Sequence, residues 1–216
     1  MQREIRLVLA TRNEGKVREL ARLFSDLAPG ISWTLVSAGH LDLPDIEETG
    51  ETFLDNARLK AVAAAAGTGQ ACLGEDSGLE VDYLHGAPGV ESHRYSETGT
   101  DADNNLRLLR DLHGVPARFR TARYRCAIVI AGPGIILAQG EGAVEGVVAD
   151  GFSGDNGFGY DPLFYAVELG KTMGEATGAE KDSVSHRRRA MEKVMPVIVR
   201  ELALPRRGPA EEVSYC

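Results

Sequence analysis

Short apolar runs of strand length alternate along this chain with longer segments whose apolar residues recur at helical spacing. Ile5–Ala10 is a strand-like run bounded by a polar loop. From Val17 onwards the apolar residues follow the i, i+3, i+4, i+7 spacing of an amphipathic helix, and Asn13 is a suitable N-cap for it. Because strands and helices interleave in this way along the chain, the sequence predicts an α/β fold.

The remaining elements follow from the same periodicities and from turn residues. Strands are predicted at 33–37, 71–74, 120–131 and 135–149, and helices at 51–66, at 101–112 and from about residue 185. Pro196 lies in the last helix and should kink or shorten it, since proline has no backbone N–H. No repeat or linker divides the chain, so we expect one domain over 1–204 and a flexible tail over 205–216.

The charge balance limits the kinds of partner. The chain has 32 Asp and Glu against 24 Lys and Arg, a net charge of −8, which argues against a general nucleic-acid binder. No apolar run approaches the roughly 18 residues of a membrane span, and we expect no signal peptide. The three cysteines lack metal-ligand spacing and favour a reducing, cytoplasmic setting. Such a protein binds a small polyanion only where cations gather or a metal ion bridges.

The first such place is Thr11-Arg12-Asn13-Glu14-Gly15-Lys16, between a predicted strand and a predicted helix. The free N–H groups of a helix N-terminus suit phosphate, Lys16 adds a full charge, and Gly15 lets a ligand approach the backbone. The segment is not a P-loop, because it lacks the upstream glycine and has Val17 where Ser or Thr should follow. A capped helix with a solvated lysine is the alternative interpretation.

Two acidic pairs are candidates for binding a cation. Gly74-Glu75-Asp76-Ser77-Gly78 directly follows a short apolar strand, and carboxylates at a strand end form a natural site for Mg²⁺, which prefers oxygen ligands. The alternative is a turn with capping acids. The second pair lies in Glu47-Glu48-Thr49-Gly50, before a predicted helix, where acids also complement the helix dipole.

The C-terminal half contains an aromatic loop and a basic cluster. In Gly157–Phe164 the aromatic residues are spaced by glycines, which suits stacking on a planar base, although a loop that plugs the sheet edge is an equal alternative. Lys181 and the segment Ser185-His186-Arg187-Arg188-Arg189 form the densest basic cluster. Cations at a helix N-terminus oppose its dipole, which favours an anionic or acceptor-rich ligand there, and a solvated basic run is the alternative.

Taken in order, these segments resemble the inosine/xanthosine triphosphate pyrophosphatase family, whose members hydrolyse non-canonical purine nucleoside triphosphates. The resemblance spans about residues 5–203 and rests on an ordered set of short motifs: Thr11…Asn13…Gly15-Lys16…Glu19, Glu47-Glu48-Thr49-Gly50, Asn56-Ala57, Lys60-Ala61, Asp76-Ser77-Gly78-Leu79, Gly86-Ala87-Pro88-Gly89, Arg94-Tyr95-Ser96, Gly157–Phe164, Lys181 and Ser185-His186-Arg187. Two positions depart from the pattern. Arg12 stands where the family often has a small residue, and Glu75 replaces the Asp common in bacterial members.

The resemblance implies hydrolysis of ITP, dITP or XTP to the monophosphate and pyrophosphate, which removes deaminated purines before they enter nucleic acid. It also implies an elongated central mixed sheet flanked by helices, two lobes with the active-site cleft between them, and a homodimer. Mg²⁺ would be the cofactor, held by Glu47 and Asp76, and Asp76 would be the catalytic base. We expect no nucleic-acid or membrane partner.

The resemblance also implies which residues contact the substrate. The phosphates would be bound by Thr11, Arg12, Asn13, Glu14, Gly15 and Lys16, with help from Lys60. Phe158 would stack on the base, and Arg187 and His186 would donate hydrogen bonds to it. Other contacts to base or sugar would come from Lys181 and Asp161, and the predicted set is completed by Ser77, Gly159 and Tyr160.

Two rival functions remain open at this point. One is a Maf-type pyrophosphatase that acts on modified pyrimidine or methylated nucleotides and uses similar physics. The other is a non-catalytic nucleotide sensor that uses the same cleft for binding alone. Release of pyrophosphate from ITP distinguishes both rivals, because a sensor releases none and a Maf-type enzyme prefers other bases.

Overall fold

A computed structural model describes residues 3–41 and 43–203, so the tail predicted at 205–216 lies outside the described residues. The strands are β1 (Arg3–Leu9), β2 (Ile31–Ser37), β3 (Cys72–Val81), β4 (Thr121–Gly132), β5 (Ile135–Val148), β6 (Phe164–Ala166) and β7 (Lys171–Thr172). The helices are α1 (Glu14–Leu27), α2 (Phe53–Thr68), α3 (Asp101–Asp111), α4 (Gly178–Val184) and α5 (His186–Ala203). The predicted α/β class is confirmed.

One mixed sheet joins all of these strands in the order β2-β1-β3-β4-β5-β6-β7. Strand β1 is parallel to both β2 and β3, and every later pairing is antiparallel. The parallel strands are connected through α1 and α2, as a parallel crossover requires, whereas β4 and β5 form the predicted hairpin. The long strands β3, β4 and β5 make the sheet elongated.

The two lobes are built on opposite ends of these long strands. In the first lobe, α1 and α5 pack on one face of the sheet and share one apolar cluster. Helix α2 packs on the other face over a second apolar cluster. In the second lobe, a third cluster joins the far ends of β3, β4 and β5 to α3, β6 and the loop before β6. Strand β3 contributes Cys72 and Leu73 to the first lobe and Leu79 and Val81 to the second.

The acidic segment after Gly74 is neither the strand end that the sequence predicted nor the turn that was its alternative. Strand β3 continues through it, and Glu75 and Asp76 are paired in the sheet with Ile128 and Ala127 of β4. These carboxylates are tolerated inside a central strand because each one contacts buried cations. The segment therefore spans the gap between the two lobes, with its side chains alternating between the two faces of the sheet.

Glycines on the sheet let the helices approach unusually closely. A Cβ atom on Gly74 of β3 would lie 2.6 Å from the backbone nitrogen of Ala61 in α2. A Cβ atom on Gly142 of β5 would lie 2.6 Å from the backbone nitrogen of Ala190 in α5. Because real Cβ atoms do not approach other atoms this closely, larger residues would displace α2 and the start of α5, which both carry predicted site residues.

Several helix predictions need correction. Helix α2 begins at Phe53, after the N-cap Thr52, and ends with the left-handed Gly69 rather than near Gly67. Helix α5 runs through Pro196 to Ala203, so the proline does not shorten it. The short elements β6, β7 and α4 were not predicted, because two to seven residues show too little periodicity. Within the described ranges, no helix is long and apolar enough to cross a membrane.

Candidate functional site

A cleft of about 380 Å³ lies between the lobes, and its walls come from the loops after β1 and β2 and from β3, α2, α5 and the loop before β6. It brings together most of the predicted site residues: Thr11, Arg12, Asn13, Lys16, Lys60, Asp76, Ser77, Phe158, Gly159, Tyr160, Asp161, Lys181, His186 and Arg187. Three other predicted residues, Glu14, Gly15 and Glu47, do not line it. The volume falls within the usual range of small-molecule sites.

One end of the cleft is formed by the N-terminus of α1. The side chain of Asn13 caps this helix by accepting a hydrogen bond from the backbone N–H of Lys16 at 3.0 Å, as predicted. The Lys16 ammonium lies 2.8 Å from Glu75, whose carboxylate is completely buried. This end therefore combines a lysine, a helix dipole and unpaired backbone donors, which together suit phosphate.

Gly15 has a packing role that the sequence did not predict, and its predicted contact with phosphate stays a prediction. A Cβ atom at Gly15 would lie 2.6 Å from Cδ1 of Phe158, so the glycine makes room for that aromatic ring. The next residue back, Glu14, is exposed on the first turn of α1. Because Phe158 packs against Gly15, the aromatic loop of the second lobe contacts the phosphate-binding segment of the first lobe.

Asp76 lies on the α2 face of the sheet, in contact with a buried amide and a buried ammonium group. Its Oδ2 atom accepts a hydrogen bond from Asn56 at 3.2 Å, and its Oδ1 atom accepts one from Lys60 at 2.9 Å. Burial raises the pKa of Asp76, against the opposite effect of Lys60 and Lys16. A carboxylate of raised basicity that is held in place by two donors is suited to accepting a proton.

The second carboxylate beside Asp76 belongs to Glu48, not to the predicted Glu47. Glu48 lies 2.9 Å from the ammonium of Lys60 and lines the cleft. Burial disfavours ionisation of Glu48, but Lys60 outweighs it and holds the pKa of this carboxyl below its usual range. Glu47 is exposed and does not line the cleft. The sequence contains both acids side by side, and only the conformation of the segment distinguishes them.

Glu75 lies on the opposite face of the sheet from Asp76, as neighbouring residues in a strand must. It accepts hydrogen bonds from Arg187 at 3.0 and 3.3 Å, and Cys126 donates to it at 3.3 Å. Burial disfavours ionisation, but Arg187 and Lys16 hold the pKa of Glu75 well below its usual range. Glu75 is therefore an ionised structural partner of two cations, which separates its role from that of Asp76.

Arg187 is buried, with 1% of its surface exposed, and its guanidinium group is shared among protein acceptors. All three of its nitrogens donate, to Glu75, to Ser77 and to Glu19. The predicted direct contact of Arg187 with a base therefore competes with these bonds, and it stays a prediction.

Glu19 was not among the predicted site residues, although it is 4% exposed and joins two of them. Its carboxylate contacts Lys181 at 2.7 Å and also accepts from Arg187, and Lys181 in turn contacts Asp161. A signal for it exists in the sequence, because Glu19 occupies the apolar face of α1 beside Leu20. Acids on such a face need a buried partner.

We expect Glu19→Gln to lower the free energy of unfolding by about 3 kcal/mol near neutral pH. Burial opposes ionisation of Glu19, but Arg187 and Lys181 together lower its pKa from 4.5 to about 2. The stabilisation is therefore complete above pH 4.5 and is lost as the pH falls towards 2. In urea unfolding, the difference in free energy of unfolding between wild type and Glu19→Gln should be about 1 kcal/mol smaller at pH 3.5 than at neutral pH. Glu14→Gln, at an exposed position of the same helix, is the control. A gap that does not change with pH would contradict the assignment.

The far wall of the cleft is aromatic. His186 stacks on Tyr124 with ring centroids 4.9 Å apart and an interplanar angle of 15°. Burial and the neighbouring Arg187 hold the pKa of His186 well below its usual range, so the ring is neutral. Its Nδ1 atom has no hydrogen-bond partner among the described residues. The ammonium of Lys181 lies 4.8 Å from the ring centroid of Phe158. A flat, partly polar ligand fits this wall.

Comparison with known proteins identifies relatives over nearly the whole chain. Residues 7–197 match the model of the Ham1 family. The chain is 48% identical over 198 residues to the dITP/XTP pyrophosphatase of Desulforamulus reducens, covering 91% of this chain and 96% of the relative. It is 47% identical over 189 residues to the enzyme of the same name from Geobacillus kaustophilus, covering 87% and 91%. The structure of the Staphylococcus aureus Ham1 protein superposes with a TM-score of 0.77 at 38% identity, covering 91% of this chain and 99% of that one.

Proposed function

The chain belongs to the Ham1 family, and we propose that it hydrolyses non-canonical purine nucleoside triphosphates such as dITP, ITP and XTP to the monophosphate and pyrophosphate. It is a nucleoside triphosphate pyrophosphatase, a hydrolase acting on a phosphoric anhydride. Relatives named dITP/XTP pyrophosphatase support this substrate class.

The observation that carries the proposal is a single cleft that combines a phosphate-binding end, an aromatic end and the carboxylate of Asp76. The two ends meet where Phe158 packs against Gly15. The phosphate-binding end contains the N-terminus of α1 with Lys16, and Lys60 lies beside Asp76. The aromatic end contains Phe158 and the stacked pair of Tyr124 and His186. A nucleotide has the same arrangement of charged and flat parts.

The proposed division of labour follows from these positions. Lys16 and Lys60 hold the triphosphate, which carries roughly four negative charges, and stabilise the charge that develops at phosphorus. Asp76 orients the attacking water and accepts its proton, helped by the basicity that burial gives it. Attack at the α-phosphorus in line with the leaving group then expels pyrophosphate.

The carboxylates beside Lys60 fit a divalent ion, which we propose to be Mg²⁺. Glu48 and Asp76 both contact the single ammonium of Lys60, so two carboxylates share one directly contacting cation there. No group of three or more His, Cys, Asp and Glu side chains within residues 3–41 and 43–203 could form a complete metal cage. A pair of carboxylates suits Mg²⁺ that arrives with substrate phosphates and retains waters. When bound, such an ion lowers the pKa of a ligated water and withdraws charge from phosphoryl oxygens.

The two neighbouring glutamates test this assignment against the one made from the sequence. We expect Glu48→Gln to raise the Mg²⁺ concentration for half-maximal activity by at least about tenfold, because even groups that only hydrogen-bond to a metal ligand are worth about 10- to 100-fold in metal affinity. Glu47→Gln should leave it unchanged, since Glu47 is exposed and outside the cleft. The measurement is a Mg²⁺ titration of pyrophosphate release. The opposite ranking of the two variants would restore Glu47 as the ligand.

Base selection follows from the donors near the aromatic wall. Hypoxanthine and xanthine present an acceptor oxygen at C6, whereas adenine presents a donor amino group there. Lys181 and the neutral ring of His186 can both donate hydrogen bonds at this wall. Sites that pair a buried donor with a substrate acceptor reject the mismatched analogue by on the order of 10⁴-fold. We therefore propose that ATP is a poor substrate.

The function is tested by one panel of nucleoside triphosphates. Pyrophosphate release is measured with Mg²⁺ for ITP, dITP, XTP, GTP, ATP and modified pyrimidine nucleotides. We expect the three deaminated purines to give the highest kcat/KM. Preference for modified pyrimidines would instead favour the Maf-type alternative, and nucleotide binding without any release would favour the sensor.

A homodimer, a cytoplasmic location and the absence of nucleic-acid and membrane partners are proposed from the sequence alone. The dimer is tested directly by light scattering of the purified protein during size-exclusion chromatography. A mass near 23.2 kDa, that of one chain, would contradict it.

A further inference from the structure

The N-terminus of α3 holds the turn that carries Phe158, and no step of the proposed reaction uses this contact. We propose that Asn105 and Asp101 are positioning residues that fix the aromatic turn Gly157–Asp161 for stacking on the base. This inference rests on the proposed function, because it assumes that Phe158 contacts a nucleobase.

The contact involves both polar backbone atoms of Gly159, the residue after Phe158. The N–H of Gly159 donates to Asp101 Oδ2 at 2.7 Å, and its carbonyl oxygen accepts from Asn105 Nδ2 at 2.8 Å. Gly159 has a backbone φ of +62°, a conformation that residues other than glycine rarely adopt. The turn is thus held by its backbone, in a conformation that leaves the neighbouring Phe158 directed towards α1.

Asn105 is built into the fold for its two amide hydrogens. It is 3% exposed, and the same Nδ2 atom also donates to the backbone carbonyl of Asp101 at 2.7 Å. Its Oδ1 atom has no hydrogen-bond partner among the described residues. A buried amide normally satisfies both of its ends, so leaving the oxygen unpaired has a cost. At Asn105 the unpaired oxygen is offset by the two hydrogen bonds of the Nδ2 atom, one of which connects α3 to the turn.

The other attachments of the turn lie at its last two residues. Tyr160 donates to the carbonyl oxygen of Ser92 at 2.8 Å, and Asp161 pairs with Lys181 and accepts from the N–H of Gly174 at 2.8 Å. Within the loop, the N–H of Phe158 donates to Asp161 at 2.9 Å, which fixes the turn to itself. The ring of Phe158 packs on Gly15 and lies 4.8 Å from the ammonium of Lys181. Neither contact restricts the position of the turn relative to α3. Releasing Gly159 would therefore detach the residue next to the ring from α3, while the attachments of Tyr160 and Asp161 remain.

The test measures ITP hydrolysis by Asn105→Ala. We expect KM to rise by about tenfold with kcat within threefold of wild type, since base–aromatic stacking contributes to binding on that scale. Phe158→Ala should cause a similar rise. Because Asn105 acts through Phe158, the double variant should be no worse than Phe158→Ala alone. An unchanged KM in Asn105→Ala, or effects of the two substitutions that multiply in full, would overturn the proposal.

Two further variants separate positioning from general damage to α3. Asp101→Asn retains an oxygen that accepts from Gly159 and should keep the wild-type KM, whereas Asp101→Ala should raise it. Leu112→Ala removes a buried side chain at the far end of α3 and should lower Tm without a change in KM. If Leu112→Ala raises KM as much as Asn105→Ala, the role is only structural. Wild-type protein that does not hydrolyse ITP would instead refute the proposed function.

Discussion

Asp76→Asn is expected to lower kcat for ITP hydrolysis by about 10³-fold, the scale on which a general base contributes. The amide is isosteric, and its single oxygen keeps one of the two hydrogen bonds that Asp76 accepts on different oxygens, from Asn56 and from Lys60. It has neither the charge to hold a divalent ion nor the basicity to accept a proton from water. The loss should therefore fall on the chemical step rather than on the fold.

Steady-state pyrophosphate release and thermal unfolding of the same preparation separate these two effects. Removing a carboxylate whose pKa is raised by burial should leave Tm close to wild type. Asp155→Asn is the matched control, because Asp155 is exposed and does not line the cleft. Turnover by Asp76→Asn within tenfold of wild type would remove Asp76 from the role of base.

Gly74→Ala is expected to destabilise the protein by about 3 kcal/mol and to impair turnover as well. The added methyl group would lie against the backbone of Ala57 and 2.6 Å from the nitrogen of Ala61, so α2 must move away from β3. Helix α2 carries Lys60 and Asn56, which hold Asp76. One methyl group therefore weakens the core and separates the base from its partners.

Differential scanning calorimetry and ITP turnover of Gly74→Ala give both readouts, with a fall in Tm of about 10 °C expected for a chain of this length. Gly30→Ala provides the control, since a Cβ atom there would have no neighbour within 4 Å and the residue has no positive φ. The close packing of α2 on β3 would be disproved by a Gly74→Ala protein as stable and active as Gly30→Ala.

Local signals in the sequence were sufficient for the elements with strong periodicity. Asn13 caps α1 as predicted, and the glycine-rich segment at 132–134 connects β4 to β5. These predictions succeeded because capping and turns depend on residues a few positions apart. The family resemblance predicted in addition that distant segments of the chain meet in one cleft. Periodicity alone could not have predicted this.

The failures concern charged residues whose surroundings are set by tertiary contacts. The predicted strand at 71–74 ended where the acids begin, because a run of Glu75 and Asp76 is untypical of a buried strand. The cations that neutralise them come from Lys16, Lys60 and Arg187, up to 112 residues away in the chain. The choice between Glu47 and Glu48 likewise depends on which of the two faces Lys60. No local pattern contains this information.

Strand β3 belongs to both lobes, and Asp76 lies on the short stretch between their cores. The sheet is continuous from one lobe to the other at this point, since Asp76 pairs with Ala127 of β4 and Ala127 pairs with Glu141 of β5. The reacting carboxylate is therefore attached to backbone that both lobes share, rather than to a loop at the rim of the cleft.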